Sequence, residues 1–247
     1  MPPERLLILG GTGEARELAQ ALTDEGFHPV SSLAGTTASP HLPVGEVRRG
    51  GFGGEEGLLD YVERENIHAI VDATHPYAAQ ISGHGHRAAR AADIPYLRLE
   101  RPRWRAEAGD CWIEVANVTD AVATLPSGGH AFVTIGRKEI APFFARTDLE
   151  GVARMIECPT VGVPQSWTLI QARPPFHLED EIELIGKHNI THLVSKNSGG
   201  ESTRAKLFAA REKKIPVVMI GRPYKPTAPS FFTVEALTLA LRQMLSP

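Results

Sequence analysis

The stretch Leu6 to Arg16, LLILGGTGEAR, constrains the fold more than any other. Four apolar residues lead straight into a glycine-rich turn, and the helix formers Glu14, Ala15, Arg16, Glu17, Leu18 and Ala19 follow at once. A short buried strand, a glycine turn and a helix form the phosphate end of a nucleotide-binding β-α unit. Gly10, Gly11 and Gly13 allow a sharp turn and a close backbone approach to a pyrophosphate. The helix behind them offers unpaired N–H groups and a partial positive charge. The third glycine of G-x-G-x-x-G would fall at Arg16, so a strand-turn-helix without nucleotide fits the same residues.

A helix over about Glu14 to Glu25 follows, then a second strand at Pro29 to Leu33. Its exit, Ala34 to Ser39, includes Thr36 and Thr37 and carries no acid. A carboxylate there would bond an adenosine ribose and repel a 2′-phosphate. Hydroxyls with Arg16 nearby therefore tilt the expectation to NADP, although a plain polar loop explains the composition equally. Val44 to Arg49 reads as a third strand, and Gly50-Gly51-Phe52-Gly53-Gly54 either lies flat against a ligand or acts as a hinge. A helix at Gly57 to Asn66 turns Leu58, Leu59 and Val62 inward, and Ile67 to Ala73 is the fourth strand. Thr74 or His75 can cap a helix and Pro76 suits its first position, so a helix is predicted from here to about Ala92. Ile94 to Leu99 is the fifth strand. Strands alternating with helices at this spacing predict a parallel sheet covered on both faces.

The second half repeats the first. Ile67-His68-Ala69-Ile70-Val71 resembles Ile190-Thr191-His192-Leu193-Val194. Ala88-Ala89-Arg90, Ile94-Pro95 and Arg101-Pro102 recur 121 residues later as Ala209-Ala210-Arg211, Ile215-Pro216 and Arg222-Pro223. Ala131 to Arg137 takes the place of the first strand and its turn. A repeated half of this length predicts two similar α/β domains, at 1–108 and 109–247.

The halves differ where chemistry would reside. Only the first has a glycine cradle. The second carries Ser195-Lys196-Asn197-Ser198-Gly199-Gly200-Glu201-Ser202 between a strand and a helix predicted at Thr203 to Lys214. One cation, several hydroxyl and amide donors and a helix start suit an anionic substrate; a capping loop with a solvated Lys is the alternative. His75 could orient a cofactor, shuttle a proton or cap a helix. His84 and His86 face different sides of one helix, so no metal pair is expected. A net charge of −3 argues against nucleic acid. Cys111 and Cys158 stand far apart, indicating neither a zinc site nor a disulfide framework. No apolar run reaches membrane-spanning length, and the expectation is a soluble, cytoplasmic protein, monomeric or a small homo-oligomer.

LLILGGTGEAR, GGFGGEEGL at 50–58, DATHPYAAQIS at 72–82, RLERPRW at 98–104, VSKNSGG at 194–200 and IPVVMIGRP at 215–223 together resemble the precorrin-6A reductase family of cobalamin biosynthesis. The resemblance implies an NADPH-dependent reductase with two Rossmann-like domains and a cleft between them. The cofactor would sit mainly on the first domain, with a tetrapyrrole substrate between the two. Reducing one double bond of such a macrocycle takes a hydride on one carbon and a proton on its neighbour.

With the residue readings above, the expected cofactor contacts are Gly10, Gly11, Thr12, Gly13, Glu14, Arg16, Thr36, Thr37, Gly51, Phe52, Thr74, His75 and Pro76. The expected substrate contacts are Tyr77, Arg137, Lys196, Asn197, Ser198, Gly199, Lys206 and Arg222. His75, Lys196 and Glu201 are candidates for moving a proton, none of them assigned, and water can serve. A cobalt-precorrin-6A reductase and a non-catalytic NADP sensor stay open as alternatives. A short-chain dehydrogenase does not, because no tyrosine has Lys four residues on.

Overall fold

The computed structural model describes residues 3–35 and 41–245; Thr36 and Thr37 lie outside them. β1 (Arg5–Leu9) is buried on both faces, so its side chains divide between two cores. Leu6 and Ile8 pack with α1 (Gly13–Asp24), while Leu7 and Leu9 face the other way. β2 (His28–Leu33), β3 (Glu46–Arg49), α2 (Glu55–Arg64), β4 (Ile67–Asp72), α3 (Ala79–Ala91) and β5 (Tyr96–Leu99) complete the first run. Leu58, Tyr61 and Val62 of α2 and Ala88 and Ala89 of α3 cover the face opposite α1. A parallel sheet covered in this way requires apolar residues at successive strand positions, which is the pattern in LLIL and AIV.

The chain then passes to β6 (Trp112–Val115), α4 (Val118–Thr124), β7 (His130–Val133), α5 (Ala141–Phe144), β8 (Glu150–Met155) and β9 (Trp167–Gln171). α6 (Leu178–Lys187), β10 (His192–Lys196), a 3-10 turn (Glu201–Thr203), α7 (Ala205–Glu212) and β11 (Val217–Ile220) follow, and β12 (Ser230–Phe231) and α8 (Val234–Leu245) end the described chain.

Two six-stranded parallel sheets result, ordered β3-β2-β1-β4-β5-β12 and β9-β8-β7-β10-β11-β6. Both have the 3-2-1-4-5-6 order of a doubly wound nucleotide-binding fold. The sixth strands are exchanged. The strand after β5 joins the second sheet, and the strand after β11 joins the first. The two compact units are accordingly 1–102 with 224–247, and 103–223.

This partition corrects the expected division at residue 108. Residues from Tyr224 onward belong with the first unit, because Ser230–Phe231 pairs with Arg98–Leu99 and Leu237 and Leu241 pack with Leu18 and Leu22. The internal repeat is visible in the backbone. Asn66 and Asn189 precede β4 and β10 at φ +49°, and Asp93 and Lys214 end α3 and α7 at φ +54° and +56°.

α3 also differs from its predicted start. It opens at Ala79 behind an uncapped Ala78, not at Thr74–Pro76. The Thr74 hydroxyl donates instead to Asp72 Oδ1 at 2.6 Å. His75 Nδ1 accepts the Tyr77 amide at 3.3 Å, and the Ala78 amide donates to the His75 carbonyl at 2.8 Å. His75 therefore caps a turn and no helix. The helix expected at Thr203 to Lys214 is likewise shorter, with a 3-10 turn before Ala205–Glu212.

The interior of the second unit holds charge that its sequence does not announce. Arg154 on β8 lies 2.6 Å from the Glu181 carboxylate on α6 and 3.6 Å from the Phe176 ring centroid. Lys206, 5% exposed, donates to Thr134 Oγ1 at 3.0 Å and lies 5.6 Å from the Trp104 ring centroid. Burial, then the Arg154 charge, push the Lys206 ammonium down to about 7, with Glu181 opposing. An unfolded chain holds that proton up to the ordinary value of 10.5, so between the two values it binds more protons and stability rises with pH. Lys206→Met is therefore expected to stabilise the protein by about 1–3 kcal/mol at pH 6, by removing a buried charge with incomplete partners. Chemical denaturation should show that gain shrinking toward pH 10; a constant gain would assign it to packing.

Candidate functional site

Beyond the carboxyl ends of β1 and β4 the glycine turn is built as a cradle. A Cβ at Gly10 would make ordinary contacts, 3.5 Å from both the Ser32 carbonyl oxygen and Leu33 Cδ2. Gly11 takes φ +110° and faces open space. Thr12 accepts the Ala15 amide at 3.1 Å, which caps α1, and donates to the Ala73 carbonyl at 2.8 Å, which ties the turn to the end of β4. The other first-turn amides of α1 have no carbonyl behind them, so the helix start favours an anion. An open glycine face beside a capped helix N-terminus fits a dinucleotide pyrophosphate.

Glu14 would oppose an anion if it stood alone, but Arg101 clamps it with contacts of 2.5 and 2.6 Å. Burial raises the Glu14 carboxyl, yet the Arg101 hydrogen bond and charge leave it below its usual value, so the pair stays ionised and locally neutral. Arg16 lies exposed on the first turn, its Nη1 3.4 Å from the Thr12 carbonyl.

The loop after β3 is ordered by Arg48. Its guanidinium donates to the Gly50 and Gly51 carbonyls at 2.6 and 2.7 Å and stacks 3.7 Å from the Phe52 ring centroid. The Gly50 amide donates to the Leu33 carbonyl, which places this loop beside the end of β2. At Gly57 a Cβ would lie 1.9 Å from the Phe52 carbonyl oxygen, so the loop packs onto α2 only because a glycine stands there.

At the ends of β4 and β5 lies a buried polar cluster absent from the expected site. Asp72 is fully buried. Its Oδ1 accepts the Thr74 amide (3.1 Å) and hydroxyl (2.6 Å), and its Oδ2 accepts the Tyr96 hydroxyl (3.0 Å). Arg98 Nε and Lys225 Nζ approach Oδ2 at 3.4 and 3.5 Å. Burial raises the Asp72 carboxyl, but Lys225 and the Thr74 and Ser82 hydroxyls bring it below its ordinary value. Burial, with the Asp72 charge, holds the Tyr96 phenol well above its ordinary value.

The second unit's expected substrate residues are partly committed elsewhere. Lys196 contacts Glu139, and the Asn197 side-chain amide grips the Trp104 backbone in both directions at 2.9 and 3.0 Å. Arg222 Nε donates to the Asn197 carbonyl at 2.8 Å. Ser198 and Gly199 are buried. Glu201 is 81% exposed and pairs with Arg204 at 3.4 Å. Lys206, expected to contact substrate, is an interior residue of α7 whose ammonium donates to Thr134 Oγ1. Arg137 is half-buried in the turn after β7, and Tyr77 packs 5.6 Å from the His75 ring. Pro76 is buried beneath that turn and His75 is exposed.

Sequence reasoning overlooked Arg48 and Asp72 as site residues, and it noted Arg101 and Lys225 only as loop cations, without their partners. Arg48 lies two residues before the glycine loop, a proximity that could have found it. The partners of Arg101 and Lys225 are 87 and 153 positions away, a separation that no local pattern reports. Among the described residues no group of three or more His, Cys, Asp or Glu could hold a metal, and no helix is long and apolar enough to cross a membrane.

Residues 5–242 match the family model described as precorrin-6x reductase CbiJ/CobK. The chain is 48% identical over 239 residues to a precorrin-6A reductase of Rhodococcus erythropolis, covering 96% of each chain. It is 40% identical over 236 residues to one of Rhodobacter capsulatus, covering 94% of each. The solved structure titled CobK precorrin-6A reductase superposes with a TM-score of 0.91 at 39% identity, covering 97% of this chain and 96% of that one. With a glycine cradle on one doubly wound unit and both units matched throughout by these relatives, the chain belongs to the precorrin-6x reductase family.

Proposed function

We propose that this protein reduces one double bond of precorrin-6A with NADPH to give the dihydro product precorrin-6B, in cobalamin biosynthesis. The observation that carries this reading is the cradle itself: an open Gly11 at φ +110° beside the capped start of α1, in a chain of this family. Bound there, a reduced nicotinamide supplies a hydride. The protein's own residues do the rest. Gly10, Gly11 and Gly13 let the backbone approach the pyrophosphate, and Arg101 keeps Glu14 from repelling it. Arg16, on the first helical turn, is placed to meet a 2′-phosphate. Phe52, fixed by Arg48, offers a flat wall toward the adenosine. The turn at Thr74–Tyr77, tied to the cradle through Thr12, borders the place where reduction occurs.

The macrocycle's carboxylates meet Arg137, Arg222 and Lys196 of the second unit, where a guanidinium can bond a carboxylate with two N–H groups. His75 is the group we assign to the proton. In the resting form its Nδ1 accepts the Tyr77 amide; the exposed ring takes up a proton from solvent to become the imidazolium, gives its Nε2 proton to the carbon beside the hydride acceptor, and returns to the neutral ring. Identities of 48% and 40% to proteins named precorrin-6A reductase favour the metal-free macrocycle over its cobalt-bearing counterpart.

The direct test mixes the protein, NADPH and precorrin-6A and follows NADPH loss with the absorbance of the shortened conjugation. Turnover is expected. NADPH binding without consumption would make the protein a sensor, and turnover only with the cobalt-loaded substrate would move it to the alternative reaction. Arg16→Ala should weaken NADPH by about tenfold or more and leave NADH nearly unchanged, since one charge-assisted contact is worth about 1.5–3 kcal/mol; equal losses would remove Arg16 from the 2′-phosphate site. His75→Gln should lower kcat by about 10–100-fold with NADPH affinity retained, the range expected for a lost general acid. An unchanged kcat would hand the proton to water.

A further inference from the structure

The segment returning from the second unit does more than add a strand. Pro223-Tyr224-Lys225-Pro226-Thr227-Ala228-Pro229 runs to β12 with three prolines, whose fixed φ reduces the freedom lost on ordering it. It is stitched to β5 along its length. Arg98 Nη2 donates to the Pro226 carbonyl at 2.9 Å, the Arg98 amide to the Pro229 carbonyl at 2.9 Å, and the Glu100 amide to the Phe231 carbonyl at 2.9 Å. Tyr224 is 83% exposed, while the next side chain, Lys225, is only 6% exposed. The Lys225 ammonium is thereby set down inside the cluster at the end of β4, 3.5 Å from Asp72 Oδ2 and 3.4 Å from Thr74 Oγ1.

Thr74 is held from two sides. Its hydroxyl donates to Asp72 and accepts from Lys225, its amide is fixed by the same carboxylate, and the Ser82 hydroxyl lies 3.4 Å away. The rotamer that Thr74 adopts makes all of these contacts at once. A buried ion pair seldom stabilises a fold more than apolar residues of similar size would, so stability gives little reason for a lysine here. The geometry is what the pair supplies.

We propose that Lys225 is a positioning residue for reduction. Through Asp72 and Thr74 it fixes the Thr74–Tyr77 turn, and so the nicotinamide end of the cofactor, while the adenosine end is held independently by Arg48, Phe52 and the glycine turn. The inference rests on the cofactor placement given under Proposed function. It makes the last two dozen residues of the chain part of the machinery for hydride transfer, although none of them lies in the glycine cradle.

Saturation-transfer NMR on the full chain with NADP+ tests it without turnover. In the unaltered protein both adenine and nicotinamide protons should receive saturation. Lys225→Met should keep the adenine signals and lose most of the nicotinamide signal, and Lys225→Arg should restore much of it. In turnover with precorrin-6A, Lys225→Met should lower kcat by about tenfold, with the KM for NADPH within about twofold, as expected for misplacement without lost affinity. The primary deuterium isotope effect from 4-deuterated NADPH should rise at the same time. Asp72→Asn combined with Lys225→Met should be less harmful than the two single losses multiplied, because neither buried charge is then left alone.

A folded Lys225→Met protein, judged by its melting curve, with an unchanged nicotinamide-to-adenine signal ratio would overturn the proposal. So would equal loss of both signals, or Lys225→Arg behaving like Lys225→Met. Absence of any saturation transfer in the unaltered protein would instead sink the nucleotide site itself.

Discussion

One hydroxyl joins the glycine turn after β1 to the end of β4. Thr12 Oγ1 accepts the Ala15 amide at the start of α1 and donates to the Ala73 carbonyl at the end of β4. A threonine hydroxyl has one proton to give and lone pairs to accept with, and both capacities are spent here. The helix cap fixes the direction of the α1 amides, and the second bond fixes how far the first β-α turn stands from the fourth strand. An alanine at this position would leave both neighbours unpaired and release the crevice at the point where the strand order reverses. The open face of Gly11 and the neutralised Glu14–Arg101 pair have meaning only while that spacing is held.

The two units share a backbone plan and differ in what they bury. The left-handed residues that end α2 and α6, and α3 and α7, recur in pairs, and the amides of Ile70 and Leu193 donate to the carbonyls of Pro95 and Pro216 in the same way. In the first unit the charge lies at the strand ends, around Asp72. In the second it lies beneath a helix, as Arg154 with Glu181 and as Lys206. Gly85 and Lys206 occupy corresponding helical positions. A Cβ at Gly85 would come within 2.7 Å of Leu9 Cδ1, so α3 sits tight on its sheet, whereas α7 accommodates a long cationic side chain. The repeat was used twice and furnished twice.

Much of the fold was legible because strand-turn-helix alternation and the 121-residue repeat are local patterns reinforced by each other. The glycine cradle was legible for the same reason: φ +110° at Gly11 is a property of one residue. The start of α3 was misread because Thr74 had two competing uses, and a buried carboxylate two residues earlier outbid the helix. The domain boundary was misplaced because an amphipathic helix such as VEALTLALRQML does not name its sheet, and contacts distant in sequence decide: Phe231 beside Leu99, and Leu237 and Leu241 on Leu18 and Leu22. Lys196, Asn197 and Lys206 looked alike as polar residues after a strand. Burial and partners separate them, and neither is written in their spacing.

The exchanged sixth strands have a consequence for how the chain can be cut and rejoined. As synthesised, the polypeptide leaves its first unit unfinished at Pro102, builds the second, and comes back with the missing edge. Reordering it to begin at Arg103 and to connect the end of α8 to β1 would make each unit an uninterrupted stretch. Near its end α8 is already anchored to the end of α1, where Arg242 reaches Glu25 at 2.9 Å. Truncation of the natural order after Pro102, by contrast, strips β5 of its neighbour and exposes a bare edge that invites other strands. Permutation is thus the way to isolate the unit that carries the glycine cradle, and simple dissection is the wrong one.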